Sequence, residues 1–330
     1  MVNITFFELE QWEEKIAKQE FKNHKLQFFP KPFKKSDLPK IKNTEILIVF
    51  VNSFVDQTVL NQLLKLKAIA TSSTGYDHID LEECKKRNIK VSNVPTYGTN
   101  TVAEHTFALI LNIARNIVSS VERTRRGKFF FESLRGIDLQ GKTLGVIGTG
   151  KIGKHVIQIA KGFGMNILAY DIYPDKNHAK KQNYTYTTLN ELLKKSDIIT
   201  LHTILTKSTF HLLNKKNMNN IKKGAILINT ARGPLIETEA LDNALHEGII
   251  SAAGLDVLEE ETALKEEKEL IITPEKFKVV KTDWHLLLQH DNVFITPHNA
   301  FNTKEAVMRI WQTTEENVKA FLKNKQLNRV

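Results

Sequence analysis

This chain of 330 residues predicts an α/β protein of two domains built on parallel sheets. Three observations carry the prediction. Short runs rich in Val, Ile and Leu alternate with stretches whose apolar residues recur every three or four positions, the pattern of strands joined by helical crossovers. A glycine-rich turn, GTGKIG at 148–153, stands between one such run and one such stretch. The length also exceeds what one hydrophobic core usually organises, so two cores are expected.

In chain order, strands are predicted at 45–51, 67–70, 89–92, Thr143–Ile147, Asn166–Tyr170, Ile198–Leu201, Ala225–Asn229, 251–255 and 292–296. Helices are predicted at 101–121, 152–163, Leu189–Lys195, 237–246 and 302–322. Gly248 reads as the stop of the fourth helix, because glycine takes the left-handed conformation there without a Cβ clash. Asn302 followed by Glu305 reads as a capping box opening the last helix.

Composition narrows the function classes. Hydrophobic residues at 41% and charged ones at 25% describe a soluble globular chain, not a disordered one. Lys and Arg number 47 against 37 Asp and Glu, a formal charge of +10. The excess is scattered in pairs such as Lys194-Lys195, Lys215-Lys216 and Lys222-Lys223 among acidic residues, whereas nucleic-acid readers concentrate it in a stripe, so no nucleic-acid partner is expected. Cys84 is the one cysteine, which excludes an intrachain disulfide and any metal site of several thiolates, and no metal ligands are assigned. The first twenty residues carry Glu8, Glu10, Glu13 and Glu14 and no export signal, and the apolar runs are strand-sized. A cytoplasmic protein without membrane contact is expected.

The glycine loop follows the strand Thr143–Ile147 and opens a helix, where a dinucleotide fingerprint must sit. Gly148 makes the tight turn, Gly150 lets the backbone approach a pyrophosphate, and Gly153 packs the helix on the strand. Thr149, Lys151 and Ile152 complete the loop, whose helix end offers free N–H groups to phosphate. The next strand ends in Asp171, placed to accept both ribose hydroxyls of an adenosine. A carboxylate there repels a 2′-phosphate, and Ile172 and Tyr173 supply no cation to hold one, so NAD is favoured over NADP.

Three polar residues stand at later strand ends or in the loops after them: Arg232 in NTARG at 229–233, Glu261 closing GLDVLEEE at 254–261, and His298 in ITPHNAF at 295–301. Hydride transfer between a 2-hydroxy acid and a nicotinamide needs a cation for the substrate carboxylate, a proton acceptor for the hydroxyl, and a group that sets the acceptor's protonation. The three residue types match those needs.

With these residues in place, the chain resembles the NAD-dependent D-isomer-specific 2-hydroxyacid dehydrogenases, and among them the D-lactate dehydrogenase group. The similar stretches run from about Ile46 to Phe321: STGYDHID at 73–80, VPTY at 94–97, AEH at 103–105, GIDLQGKT at 136–143, the glycine loop, LH at 201–202, and the three loops above. The resemblance implies that Arg232 binds the substrate carboxylate and polarises the 2-oxo group, that His298 is the acid and base, and that Glu261 hydrogen-bonds His298 and favours its protonated form. It implies that the backbone N–H groups of Thr74 and Gly75 and the Tyr97 hydroxyl surround the substrate carboxylate. Asp256, with backbone near Thr230, would hold the nicotinamide carboxamide, and Phe301 would pack against a small substrate side chain.

The same resemblance implies a Rossmann-like coenzyme domain at 101–298 inserted into a discontinuous, flavodoxin-like substrate domain at 1–100 and 299–330. The helix at 101–121 would help pair two coenzyme domains in a homodimer. The loop 51–55 offers Phe54 and no Arg for a phosphorylated substrate, and Glu261 stands where the family's formate enzymes carry Gln. Pyruvate and D-lactate are therefore the first expectation, with glyoxylate, hydroxypyruvate or a branched or aromatic 2-oxo acid as alternatives. A NADH-sensing corepressor on the same fold is the other class, and the chain shows no low-complexity arm to recruit partners.

Overall fold

The computed structural model describes residues 1–259 and 284–330. The chain forms two compact units, 1–97 with 303–330 and 98–302, the second inserted into the first. The first opens with β1 (Asn3–Phe7), α1 (Gln11–Glu20), β2 (Lys25–Phe29), α2 (Leu38–Ile41), β3 (Ile46–Val49), α3 (Gln57–Leu60), β4 (Ala68–Thr71), α4 (Leu81–Lys86) and β5 (Lys90–Ser92). Its described strands pair in parallel in the order β2-β1-β3-β4-β5, the flavodoxin-like arrangement. Both faces of the central strands are covered, so both are apolar. Ile4, Phe6, Ile46 and Ile48 pack with Phe21 and Trp311 on one face, while Phe7, Leu47 and Val49 pack with Leu60 and Ile69 on the other.

The second unit contains α5 (Thr99–Arg115), α6 (Ile117–Arg125), β6 (Thr143–Ile147), α7 (Lys151–Gly162), β7 (Asn166–Tyr170), α8 (Lys176–Gln182), β8 (Thr185–Tyr186), α9 (Leu189–Lys195) and β9 (Ile198–Leu201). It continues with β10 (Ala225–Asn229), α10 (Thr238–His246), β11 (Ile250–Leu255), α11 (Trp284–Leu287) and β12 (Val293–Ile295). Its described strands form one parallel sheet in the order β12-β11-β10-β9-β6-β7-β8. Succession reverses beside β6, with β7 on one flank and β9 on the other, so the crevice at the carboxyl ends of β6 and β9 is the topological switch point where such sheets place ligands. The last helix, α12 (Lys304–Leu322), returns to the first unit and buries Trp311, Val318 and Phe321 in its core.

All nine predicted strands are present, shortened or shifted by a residue or two at some ends. The helix predicted at 101–121 is two helices: Asn116 adopts the left-handed conformation at φ 50°, ending α5, and Asn112 Oδ1 accepts the Val118 N–H that begins α6. The cap of α12 is Thr303, not Asn302. Thr303 Oγ1 accepts the Ala306 N–H, whereas the Asn302 N–H closes a turn onto Asn299 O. Gly248 does stop α10, at φ 67°. β1, β2, β8, α1, α2, α3, α4, α8 and α11 lie beyond the sequence reading. In α1 the charged residues dominate and Ala17 alone is buried, which leaves no readable apolar period.

Candidate active site

At the switch point, chain geometry explains two of the three loop glycines. Gly148 has φ 92°, and a Cβ there would stand 2.6 Å from the His202 carbonyl oxygen. A Cβ on Gly153 would stand 2.1 Å from Gly148 O, because α7 starts directly against the turn. At Gly150 a Cβ would meet nothing within 4 Å, so the bare backbone at the mouth of α7 faces open space. That cradle fits a pyrophosphate approaching a helix N-terminus.

Asp171, at the end of β7, shares the cradle. Its Oδ2 accepts the Thr149 N–H at 2.6 Å and the Thr149 hydroxyl at 2.9 Å, and its Oδ1 accepts the Tyr173 N–H at 2.9 Å. Tyr186 reaches Thr149 Oγ1 at 2.7 Å from the far side. The carboxylate therefore stands beside the glycine turn, where the ribose of an adenosine belongs, and the residues present fit NAD. His202, across from Gly148, is a packing residue. Its Nε2 pairs with Thr200 Oγ1 at 2.8 Å, its Nδ1 is buried with no hydrogen-bond partner among the described residues, and burial pushes its pKa down to about 3, so it stays neutral.

Arg232, Asp256 and His298 lie at the carboxyl ends of β10, β11 and β12, three neighbouring strands, so their loops align side by side. Asn229 shapes the Arg232 loop, accepting the Ala231 N–H at 3.0 Å and donating to Arg232 O at 2.9 Å. Arg232 Nη1 donates to Ala231 O at 2.7 Å. Thr230 is buried, its hydroxyl 2.9 Å from that of Thr106 on α5. Gly233 is required by close approach, since a Cβ would stand 2.0 Å from the carbonyl of Leu258.

Asp256 is 1% exposed and organises the His298 loop. Its Oδ1 accepts the Thr296 hydroxyl at 2.5 Å and the Asn299 N–H at 2.9 Å, and its Oδ2 accepts the Ala300 N–H at 2.9 Å. His105 Nε2 stands 3.5 Å from Oδ1. These bonds hold His298 at φ 52°, a left-handed conformation uncommon outside glycine and asparagine. Three donors leave acceptor capacity on this carboxylate, so its anchoring of the loop is compatible with the nicotinamide-carboxamide role that the resemblance implies for Asp256.

Glu261 lies outside the described residues. Glu259, two positions earlier, was not singled out in the sequence. It accepts from Thr238 N at 3.1 Å, from Thr238 Oγ1 at 2.8 Å and from His211 Nε2 at 2.5 Å, anchoring the chain after β11 to the start of α10. Burial raises its pKa, but the bonds from His211 and Thr238 outweigh that and leave it below the ordinary carboxylate value.

Phe301 is half-buried, near Gly98 in the second unit. In the first unit, Thr74 and Gly75 follow β4 in a loop tied to the end of β5. Thr74 Oγ1 donates to Val94 O at 2.8 Å, Asn93 Nδ2 donates to Thr74 O at 2.8 Å, and Ser73 Oγ donates to Gly75 O at 2.6 Å. Tyr97 is half-buried, and its carbonyl accepts from Arg309 Nε of α12 at 2.7 Å.

Residues 107–300 match the NAD-binding domain of the D-isomer-specific 2-hydroxyacid dehydrogenases. The chain is 35% identical over 322 residues to the D-lactate dehydrogenase of Escherichia coli, covering 96% of both proteins. It is also 35% identical over 322 residues to the glyoxylate reductase of Pyrococcus furiosus, covering 96% of this chain and 86% of that one. The fold is similar, at a TM-score of 0.88 and 36% identity, to the crystal structure of Aquifex aeolicus D-lactate dehydrogenase complexed with NAD and lactic acid, covering 98% of this chain and 96% of that one. The chain belongs to the D-isomer-specific 2-hydroxyacid dehydrogenase family and carries that family's NAD-binding domain.

Asp256→Asn tests the anchor. The amide NH2 turns a donor toward a backbone N–H, which leaves a buried group unpaired and costs about 1–3 kcal/mol. Urea denaturation should show that loss, together with a lower kcat; unchanged stability would remove Asp256 from its anchoring place.

Proposed function

We propose that this chain interconverts a small unphosphorylated 2-oxo acid and its D-2-hydroxy acid with NAD(H), with pyruvate and D-lactate as the favoured pair. The carrying observation is the row of loops on β10, β11 and β12, which sets Arg232 and the Asp256-anchored His298 on the same sheet as the dinucleotide cradle. Bound NAD(H) supplies or accepts the hydride at the acid's second carbon. Arg232 pairs with the substrate carboxylate and draws electron density from the 2-oxo group. His298 gives its proton to the oxygen during reduction and takes it back during oxidation. Glu261 stands by resemblance as the partner of His298, and Thr74, Gly75, Tyr97 and Phe301 stand by resemblance as substrate contacts.

Pyruvate is favoured over phosphorylated acids because the loop after β3 presents Phe54, 44% exposed, and no arginine. Full-length similarity to a D-lactate dehydrogenase supports it, and equal identity to a glyoxylate reductase keeps glyoxylate as the second reading. The deciding measurement follows NADH oxidation with glyoxylate, pyruvate, 2-oxobutyrate, hydroxypyruvate, 2-oxoisocaproate and phenylpyruvate, repeated with NADPH. Pyruvate should lead in kcat/KM, with a D product by chiral analysis and little turnover with NADPH. A larger acid or glyoxylate in the lead would move the substrate assignment, and tight NADH binding without turnover would favour a sensor.

The role of Glu261 has its own test. A carboxylate beside an imidazole favours the protonated ring, and reduction needs that proton. Glu261→Gln should shift the pH profile of 2-oxo acid reduction toward lower pH, and an unchanged profile would overturn the role.

We also propose a homodimer through the second unit. Ile117, Val118 and Val121 on α6 are each at least 43% exposed, and Phe129 and Phe131 after it exceed 80%. Arg123 stands over the Phe130 ring at 4.9 Å and donates to Glu132 O at 2.6 Å, which holds the aromatic segment in an ordered loop. An apolar patch presented in this way needs a partner surface, and a second copy supplies an identical one. Light scattering should give twice the 37.7 kDa chain mass for the wild type and the single mass for Phe129→Asp with Phe131→Asp. A monomeric wild type would overturn the proposal.

A further inference from the structure

A second side-chain cluster lies at the other end of the sheet from the loops just described. Asp242 and His246 stand four residues apart on α10, on one helix face, and His290 follows α11 shortly before β12. His290 Nε2 is 2.8 Å from Asp242 Oδ1, and His246 Nδ1 is 3.5 Å from the same oxygen. The two imidazoles meet edge to face with centroids 4.5 Å apart. One ligand atom from each of the three residues lies within 4.8 Å of the others. Zinc ligands at about 2.0–2.2 Å from the ion are themselves roughly 3.3 Å apart, so the geometry closes when the exposed His246 ring turns its Nδ1 from the Asp242 carbonyl oxygen, 3.0 Å away, toward the carboxylate and its proton moves to Nε2. The Asp242 and His290 side chains are 13% and 11% exposed and so held in place, while His246 at 64% leaves solvent access for the ion and a water.

We propose that Asp242, His246 and His290 bind one divalent transition-metal ion, with zinc the best match. Two imidazole nitrogens and one carboxylate oxygen suit a borderline ion in a tetrahedral site, with water fourth, and suit neither calcium nor magnesium, which take oxygen ligands. On binding, the ion replaces the proton shared by His290 Nε2 and Asp242 Oδ1, and that proton leaves to solvent. The site is structural. α10 ends where β11 begins, and His290 sits where β12 begins, so six residues of β11, about 20 Å, separate the cluster from Asp256. Its effect is on β12, a three-residue strand that pairs with β11 alone among the described strands. Val293 N donates to His290 O at 3.1 Å, so clamping His290 to α10 fixes the entry of that strand.

The test uses the full chain without an affinity tag, stripped by chelator and dialysed. Titration with zinc chloride against a metallochromic dye should give one equivalent bound, and cobalt should give the visible bands of tetrahedral coordination. Zinc should raise the midpoint of thermal unfolding by several degrees, since an ion that binds only the folded state stabilises it. It should also slow amide hydrogen exchange at residues 293–295. His246→Ala, at an exposed position where folding is unaffected, should weaken zinc binding at least tenfold and abolish the exchange effect, as should His290→Ala. Absence of stoichiometric binding, or binding unchanged in both variants, would overturn the proposal and leave the three residues as a hydrogen-bonded cap on α10.

Discussion

The loop from Thr296 to Ala300 carries His298 in a left-handed conformation that its own residues do not favour, and the Asp256 carboxylate holds it there. A loop of this kind has several backbone shapes of similar energy, and three hydrogen bonds to one buried carboxylate select one of them. Each such bond contributes only about 0.5–1.5 kcal/mol net, but losing an acceptor for buried N–H groups costs more than that. The arrangement is therefore specified more by what breaks without it than by what it adds. It also couples two strands, since Asp256 ends β11 while the loop continues β12, and the Asp256 N–H reaches back to Asn229 O on β10. The alignment of Arg232 with His298 follows from this cross-linking of three strand ends.

The dinucleotide side is built by the opposite device, absence of side chain. Gly148 and Gly153 are excluded volumes: backbone just after β9, at His202 and Thr203, and from the turn itself occupies the space where a Cβ would project. At Gly150 the space is open, and what glycine provides is bare N–H groups. Asp171 supplies the charge on this side, and Arg232 supplies the opposite charge two strands from β6, beyond β9. A ligand running from adenosine to nicotinamide would meet a carboxylate at one end and, beyond the other, a cation suited to the carboxylate of a small acid. This polarity along one sheet edge is the physical content of the proposed reaction.

The legible parts of this molecule were those whose meaning is local. The glycine turn, Asp171 at the next strand end, and Arg232 and His298 in loops after strands could be read because each depends on a few neighbouring residues and a strand direction. Asp256 was legible as a polar residue at a strand end, but the partners that tie it to the His298 loop are 40 to 44 residues further on, so its anchoring of that loop could not be read from spacing. Glu259 was hidden for the same reason, its partners being His211 and Thr238. Asn116 and Thr303 differ in another way: an asparagine inside an apolar period breaks the helix by turning left-handed, and of two adjacent polar residues the one already spent on a turn leaves the cap to the other. The pair Asp242 and His246 had a visible helical spacing, and only the fold brings His290 to them.

β12 unites these observations. A strand of three half-buried residues that pairs with β11 alone among the described strands has little of its own to hold it, and yet His298 hangs from its end. Backbone pairing alone would let such a strand fray, since little apolar surface and few ladder bonds resist local opening. Both of its ends are instead fastened by side chains from elsewhere: His290 to Asp242 of α10 at the entry, and the Thr296 hydroxyl with the Asn299 and Ala300 amides to Asp256 at the exit. The strand acts as a strut between two polar anchors. Its sequence needs to satisfy little beyond half-burial, and the position of His298 is set by carboxylates that other elements supply.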